Sequence, residues 1–505
     1  MQGVYELMAQ AAAWVRPEMM LLLLGSVYFL AAVFVTARSR TWAIVSLLIV
    51  MLAAAMLPGG DQTFATPASF FRNDSFSHFF RGLSLAVGAL IMLLSWDRIP
   101  DRYAAEYFGC LLLILAGVNL VAAANDLVAL FLALELVSIP TYVLLYLLRS
   151  DDAAQEAILK YFFLSLFSSA LLLYGLSFLY GATGSTNLEV LRGAVRNWST
   201  QHHGMTPLPM PTTMLIALIM IVAALGFRIT AAPFHFYAPD VYQGAPLLPV
   251  TLLSVVPKLA GFAAMYQIVS ASLLIPGADQ LAAPLAHSAS GLFWIMALVS
   301  MFIGNLMGLW QNNLKRLLAY SGIAHAGYML VGLGTSCMTG MTVAGLAGLF
   351  FYLIIYSVMT LGVFAVLIGL QGRGQPVQDV DDLAGLGKSH PLLALAMAGF
   401  LFCLMGLPPT AGFLAKLNLF LAAWNTEQRL YRILALVMAV NAAIGAWYYL
   451  RIISVMFLRD AVKPLTARLN WPTGIVVLLC LLTIFWLFFQ PNGTWTWMET
   501  ITQHR

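Results

Sequence analysis

The sequence predicts an all-α membrane protein with about fourteen transmembrane helices, and three observations predict it. Hydrophobic residues make up 61% of the 505-residue chain and charged residues only 9%, against roughly 25% charged in an ordinary soluble domain. The apolar residues come in runs long enough to cross about 30 Å of hydrocarbon. The connections between runs are mostly brief, as in a bundle of antiparallel neighbours. A water-soluble fold has no means of hiding so much apolar surface, and in lipid only helices and closed barrels satisfy their own backbone.

The runs fall near 19–37, 42–57, 79–96, 104–122, 125–148, 155–180, 212–234, 247–274, 289–310, 314–334, 342–370, 391–424, 430–458 and 473–490. The second and the last are short. The longest polar stretches, 58–78, 181–211 and 371–390, read as connections and not as domains. Residues 1–18 are polar enough to precede a span, and no short apolar core with a cleavage-like flank marks a signal peptide.

Orientation follows from the Lys/Arg bias. One side collects thirteen basic residues: Arg38, Arg40, Arg98, Arg102, Arg149, Lys160, Lys315, Arg316, Arg373, Lys388, Arg459, Lys463 and Arg468. The other collects eight: Arg16, Arg72, Arg81, Arg192, Arg196, Arg429, Arg432 and Arg505. The richer side is expected to be cytoplasmic. Both termini then face the periplasm, since an even number of helices keeps them together.

Composition excludes several functions. A net charge of +4 is spread thinly, with no strongly basic run, so no nucleic-acid partner is expected. Cys110, Cys337, Cys403 and Cys480 sit in apolar runs without a CxxC pair. They read as small hydrophobes, not as cluster ligands or a disulfide framework. The eight histidines form no HExxH or CxxCH pattern, which leaves zinc and haem unsupported.

Four basic residues, Arg228, Lys258, Lys416 and Arg451, lie inside apolar runs, and so does Glu135. A charge at a helix centre costs about 2.5–3.5 kcal/mol on insertion scales, and such residues face the bundle interior and mark ion paths. For Glu135 the alternative is a structural salt bridge or a carboxyl kept neutral. Burial disfavours the ammonium form of lysine, which fits Lys258 and Lys416 to take up and release a proton. Their alternative is snorkelling to the interface. His325 lies in another apolar run, and imidazole titrates near pH 6.5, so it reads either as a proton relay or as a satisfied packing residue.

Two segments break their helices: Gly226-Phe227-Arg228-Ile229-Thr230-Ala231-Ala232-Pro233-Phe234 and Gly406-Leu407-Pro408-Pro409-Thr410-Ala411-Gly412-Phe413. Proline removes a backbone donor and clashes with the preceding turn. Freed backbone at membrane depth survives only inside protein or beside a wet cavity. Paired interruptions in two halves of a transporter point to inverted repeats and to the ion path, although a proline kink also occurs without transport. His235, just past the first break, reads as a relay or a cap.

At these residues the sequence resembles a known family. Pro233-Phe234-His235, with Pro239-Asp240-Val241-Tyr242-Gln243-Gly244-Ala245-Pro246, is similar to the signature of the N-type antiporter-like subunits of proton-pumping NADH:quinone oxidoreductase, respiratory complex I. So are Asn125-Asp126-Leu127 leading to Leu134-Glu135-Leu136, Leu159-Lys160-Tyr161-Phe162, Asn313-Leu314-Lys315-Arg316-Leu317-Leu318-Ala319-Tyr320-Ser321 and the second break. The likeness runs from about 104 to 460, and the first three helices and the last are less diagnostic.

The resemblance implies two inverted five-helix repeats, 104–274 and 289–458, preceded by N-terminal helices in 1–103 and followed by a C-terminal helix and tail in 459–505. It places Glu135, Lys258 and Lys416 at the family's proton-carrying positions. Arg228 stands where the family usually has lysine. Arginine stays protonated, so Arg228 is expected to hold the charge of Glu135 while the lysines titrate.

No redox centre is expected in this chain. NAD, FMN, iron–sulfur clusters and quinone would belong to partner subunits, and M-type and K-type membrane subunits would be neighbours in a bacterial inner membrane. A subunit of a multisubunit sodium/proton antiporter, a subunit of a membrane-bound hydrogenase and a structural scaffold remain open as alternatives.

Overall fold

The computed structural model describes residues 13–58, 69–148, 152–201, 212–272, 284–338, 343–370, 377–461, 467 and 469–503. Parts of the three polar connections, namely 59–68, 202–211 and 371–376, and the basic residues Arg149, Arg373, Lys463, Arg468 and Arg505 lie outside the described residues.

Apart from connecting turns and isolated β-bridges, the described residues are α-helical, with one 3-10 turn at Val380–Leu383. In order the helices are α1 (Arg16–Phe34), α2 (Ser39–Ala55), α3 (Ser75–Leu94), α4 (Asp101–Ala123), α5 (Leu127–Leu147), α6 (Asp152–Thr183), α7 (Leu188–Gln201), α8 (Thr212–Arg228), α9 (Ala238–Gly244) and α10 (Leu247–Ser272). Then come α11 (Pro284–Leu309), α12 (Leu314–Met338), α13 (Val343–Leu370), α14 (Leu386–Ser389), α15 (Pro391–Met405), α16 (Ala411–Trp424), α17 (Arg429–Leu458), α18 (Trp471–Phe489) and α19 (Pro491–Gln503). Eleven of them are long and apolar enough to cross a membrane, and α2, α8, α15 and α16 are shorter apolar helices. Every predicted run coincides with one of these, the twelfth being divided between α15 and α16.

Local chemistry explains the helix starts. Asp74 accepts from the Ser77 amide at 2.8 Å, and Ser77 Oγ accepts from the Asp74 amide at 3.0 Å, a reciprocal cap for α3. Asp126 caps α5 by accepting from the amides of Val128 and Ala129. Proline occupies the first turn of α1, α9, α15 and α18, where its missing N–H costs nothing.

Helix α10 presents no face to solvent and is enclosed along its whole span, so its few polar side chains, Lys258 and Gln267 among them, find their partners inside the bundle. Helices α12 and α13 are almost as completely covered. Small residues bring other helices together, as expected where lipid supplies no hydrophobic drive. Between α1 and α4, a Cβ on Gly25 would stand 3.2 Å from the Gly109 carbonyl, and one on Gly109 would stand 3.1 Å from the Gly25 carbonyl.

One turn construction occurs twice. Ahead of α5, the Leu127 amide donates to the Thr186 carbonyl at 2.8 Å and the Leu188 amide to the Asn125 carbonyl at 2.9 Å. Ahead of α12, the Leu314 amide donates to Gln378 at 2.8 Å and the Val380 amide to Asn312 at 2.9 Å. Each is a single antiparallel bridge, Asp126 with Asn187 and Asn313 with Asp379. The motifs they carry, Asn125-Asp126-Leu127 and Asn312-Asn313-Leu314, match in form.

Candidate functional site

Glu135 lies mid-way along α5, and Arg228 is the last residue of α8. Arg228 Nη2 donates to Glu135 Oε1 at 2.7 Å and to Ser169 Oγ at 3.2 Å. Its Nη1 donates to the Leu134 carbonyl at 3.0 Å and to Ser138 Oγ at 2.5 Å. Ser169 Oγ in turn donates to Glu135 Oε1 at 2.5 Å. Helix α8 stops at Arg228, and Thr230 takes a φ of 59°, a region that few β-branched residues enter. The break turns the chain away and leaves the guanidinium inside the bundle.

Lys258 is enclosed within α10. Its Nζ donates to the Gly322 carbonyl at 2.6 Å and to Tyr356 Oη at 3.0 Å, and Tyr356 Oη donates to the Ser254 carbonyl at 3.2 Å. A Cβ on Gly322 would stand 2.8 Å from Nζ, so α12 must carry glycine there for the lysine to reach its carbonyl. A small void beside these groups is lined by Ser254, Ser321, Tyr356 and Thr360.

His325 lies one turn further along α12. Its Nδ1 meets Tyr352 Oη at 2.6 Å and its Nε2 meets Tyr449 Oη at 3.3 Å, while Tyr449 Oη also meets Ser321 Oγ at 2.5 Å. The ring centroid is 5.5 Å from that of Tyr356 and 5.7 Å from that of Tyr328. Lys416 Nζ lies 4.9 Å from the Tyr328 centroid. That Nζ donates to the carbonyls of Leu404 and Met405 at 2.9 and 2.8 Å. These are end carbonyls that α15 leaves unpaired where it breaks, and a helix C-terminus favours a cation. Gly406 turns the chain at φ 83°, and a Cβ there would stand 2.8 Å from Lys416 Cδ.

The structure therefore sets buried Lys258 and His325 and half-buried Lys416 in one file, with the Tyr356 hydroxyl on Lys258, the Tyr352 and Tyr449 hydroxyls on His325, and the Tyr328 ring against both His325 and Lys416. Glu135 and Arg228 form a second station. The stations meet through backbone packing: Gly261, three residues beyond Lys258, lies against Ile229 and within 3.4 Å, by its would-be Cβ, of Arg228 Cβ. Among the described residues His235 joins neither station by a hydrogen bond, its Nδ1 having no partner, and Arg451 serves elsewhere, donating to Asn312 Oδ1 at 2.6 Å and to the Gln311 carbonyl. The tyrosines were not singled out from the sequence, because a tyrosine in an apolar run looks like any other packing aromatic. Glu18 and Arg81 were missed too. Glu18 falls in the polar stretch 1–18 and Arg81 counts only toward the charge bias of one side in the sequence, yet both side chains are completely enclosed and their Nε–Oε1 separation is 3.2 Å.

A polar cleft of about 460 Å³ opens at the start of α10, lined among others by Lys160, Asp240, Gln243, Leu247 and Lys315. Lys160 and Arg316 donate to the two oxygens of Asp240 at 2.8 and 2.6 Å. From Leu247 the face of α10 runs through Thr251 and Ser254 to Lys258, a helical distance of about 16 Å.

A family profile described as "NADH:quinone oxidoreductase/Mrp antiporter, TM" matches residues 124–444. The chain is 38% identical over 462 residues to NADH-quinone oxidoreductase subunit N of Trichlorobacter lovleyi, covering 90% of this chain and 89% of that one. It is 34% identical over 481 residues to subunit N of Rhodospirillum rubrum, covering 94% and 93%. The chain belongs to the subunit N family of NADH-quinone oxidoreductases. A chain of respiratory complex I from Thermus thermophilus, solved with bound aureothin, superposes on this subunit N family member with a TM-score of 0.77 at 30% identity, covering 95% of this chain and 98% of that one. A chain of the Mrp complex from Dietzia sp. superposes with a TM-score of 0.79 at 19% identity, covering 98% and 97%, which shows a shared fold.

Proposed function

We propose that this chain is the proton-translocating membrane subunit of a bacterial NADH:quinone oxidoreductase. The observation that carries the reading is the file Lys258–His325–Lys416 inside the bundle, in which each ionisable group is hydrogen-bonded to a tyrosine hydroxyl or a backbone carbonyl. Such a file has one economical use at membrane depth, the stepwise passage of protons. Near-full-length identity of 38% and 34% to subunit N proteins favours complex I over the antiporter and hydrogenase alternatives.

In this reading the chain crosses the inner membrane many times with both termini in the periplasm. The cleft at Asp240, on the side richer in Lys and Arg, is the proton entrance to Lys258. The twice-used turn ahead of α5 and α12 supports the division into repeats at 104–274 and 289–458. NAD, FMN, iron–sulfur clusters and quinone reside in partner subunits. Glu135 retains 21% side-chain exposure, on a face where Leu132 and Ile139 are 61% and 57% exposed. A carboxylate open to lipid is costly, so that face is where a neighbouring membrane subunit of the K or M type packs and where its charge reaches the Glu135–Arg228 pair. An opposite charge within ~4–6 Å moves a carboxyl by roughly 1–3 pH units, enough to load and unload the lysines in turn.

The test is Lys416→Met in the intact complex reconstituted into vesicles. NADH oxidation should continue while proton uptake per NADH falls. Unchanged proton uptake would sink the reading and leave a scaffold.

A further inference from the structure

Buried polar groups are unevenly satisfied along this chain. Nineteen buried side-chain nitrogen and oxygen atoms among the described residues lack a hydrogen-bond partner, and twelve of them surround the C-terminal end of α4. The ionisable groups of the Lys258–His325–Lys416 file are all bonded.

At the centre of the unsatisfied region stands the Glu18–Arg81 pair, between α1 and α3. Both carboxylate oxygens and all three guanidinium nitrogens lack a well-formed hydrogen bond. Asn119 of α4 belongs to the same region. Its Oδ1 accepts from Ser84 Oγ, and its Nδ2 lies toward Glu18 without a well-formed hydrogen bond. Gln267 of α10 donates Nε2 to the carbonyls of Val121 and Ala122 at 2.6 and 2.9 Å, leaving Oε1 open. Beyond it, Asn125 Oδ1 and both side-chain polar atoms of Asn73 lack a hydrogen bond, as do Nη2 of Arg72 and its Nε, which stands 3.4 Å from Asp74 Oδ2 in an ion pair.

A buried ion pair is sustained only when its geometry is good and further hydrogen bonds satisfy the remaining lone pairs and protons. The Glu18–Arg81 pair has one 3.2 Å approach and neither of those supports. The open groups are donors and acceptors in one place. An anion would meet Glu18, and a metal cation would meet Arg81 and Arg72. Water both donates and accepts, and buried water is what native proteins use to satisfy such groups.

We propose that the region bounded by α1, α3, α4 and α10 is a hydrated vestibule in which Glu18 is a proton-carrying carboxylate, positioned by Arg81 and Asn119. It lies at the end of the bundle assigned to the periplasm, and its role rests on the proton-translocating reading above. The step is one proton passed from a hydronium in the vestibule to a Glu18 oxygen, leaving neutral water and a neutral carboxyl, and then passed on to a second water toward bulk, which becomes hydronium as the carboxylate is restored, with nothing oxidised or reduced. The other charged or titratable groups near it are His78, one turn before Arg81 on α3, with Asp74 and Arg72 in the segment leading to that helix.

The test uses the intact complex in vesicles, carrying Glu18→Gln, Glu18→Asp, or Glu18→Gln together with Arg81→Met. Loss of proton uptake per NADH is expected in Glu18→Gln and in the double variant, with recovery in Glu18→Asp and with NADH oxidation retained. The double variant restores charge balance, so a purely structural pair would be rescued by it; wild-type pumping there overturns the proposal. Should the variants not assemble, a wild-type cryo-EM map fine enough to show water decides. Ordered waters on Glu18, Asn119 and Gln267 support the vestibule, and a dry pair overturns it. Lys416→Met in the same vesicles keeps the two readings apart: loss there with none in Glu18→Gln removes only this inference.

Discussion

Arg228 holds Glu135 from the end of a broken helix, with Nη2 2.7 Å from Oε1 and Nη1 committed to Leu134 and Ser138. The guanidinium thus spends its fork on two jobs, pairing the carboxylate and tying α8 to the α5 backbone. On the proposed reading the guanidinium sets the field at Glu135 and the lysines carry the proton. Arg228→Lys keeps the charge and loses part of the fork. Its expected outcome is an assembled complex that still translocates protons. Arg228→Met leaves Glu135 uncompensated at a cost of about 3–5 kcal/mol, and translocation should be lost. Proton uptake per NADH in vesicles checks both, and an assembled but non-pumping Arg228→Lys complex would refute this division of roles.

Gly322→Ala tests the seat of Lys258. The added methyl would lie 2.8 Å from Nζ and 3.2 Å from Tyr356 Oη, so the ammonium must leave the Gly322 carbonyl. Overpacking of this kind costs about 1–3 kcal/mol, which a large membrane complex tolerates. The expected result is a sharp fall in proton uptake per NADH with little change in the melting temperature of the purified complex. A drop in melting temperature with pumping intact would mean that Gly322 serves packing alone.

The fourteen runs, the two breaks and the five candidate residues were legible because each departs from its surroundings. A lysine, arginine or glutamate stands out in an apolar run, and proline beside glycine stands out in a helix. Helices α7, α9, α14 and α19 were not legible, being too short or too polar for a hydropathy window. The partners of His325 were hidden for the opposite reason, since Tyr352 and Tyr449 fit the apolar pattern and acquire meaning only when α12, α13 and α17 bring them together. Glu18 sits at the end of the polar stretch 1–18, where a carboxylate does not stand out in the sequence. Its place inside α1 depends on Arg81 arriving from α3, a pairing across sixty-odd residues that no local pattern encodes.

Gly406 carries two constraints at once. Its φ of 83° is a left-handed conformation, and a side chain pays roughly 1–2 kcal/mol to adopt it. A Cβ would also meet Lys416 Cδ at 2.8 Å. Gly406→Ala should therefore displace Lys416 from the carbonyls of Leu404 and Met405 and reduce translocation more than it reduces assembly. Subunit content by gel and proton uptake by fluorescence quenching separate the two effects. Equal losses in both would indicate that the break is needed only for folding.

Asp240 ties three helices at the rim of the cleft. Partial burial pushes its carboxyl up, but the hydrogen bonds from Lys160 and Arg316 outweigh this and hold it below its usual value. A depressed carboxyl contributes stability that is fully present above the ordinary aspartate value of 3.8 and is lost as the pH falls through the lowered one. At neutral pH, Asp240→Asn should thus melt earlier than the wild type, because α6, α9 and α12 lose a shared anchor. The two melting curves should converge as the wild-type carboxylate is protonated in acid. High salt should narrow the gap only in part, since the group is half-covered and screening reaches exposed pairs most. A variant that melts with the wild type at neutral pH would show that Lys160 and Arg316 find other partners and that the rim is held by α9 packing instead.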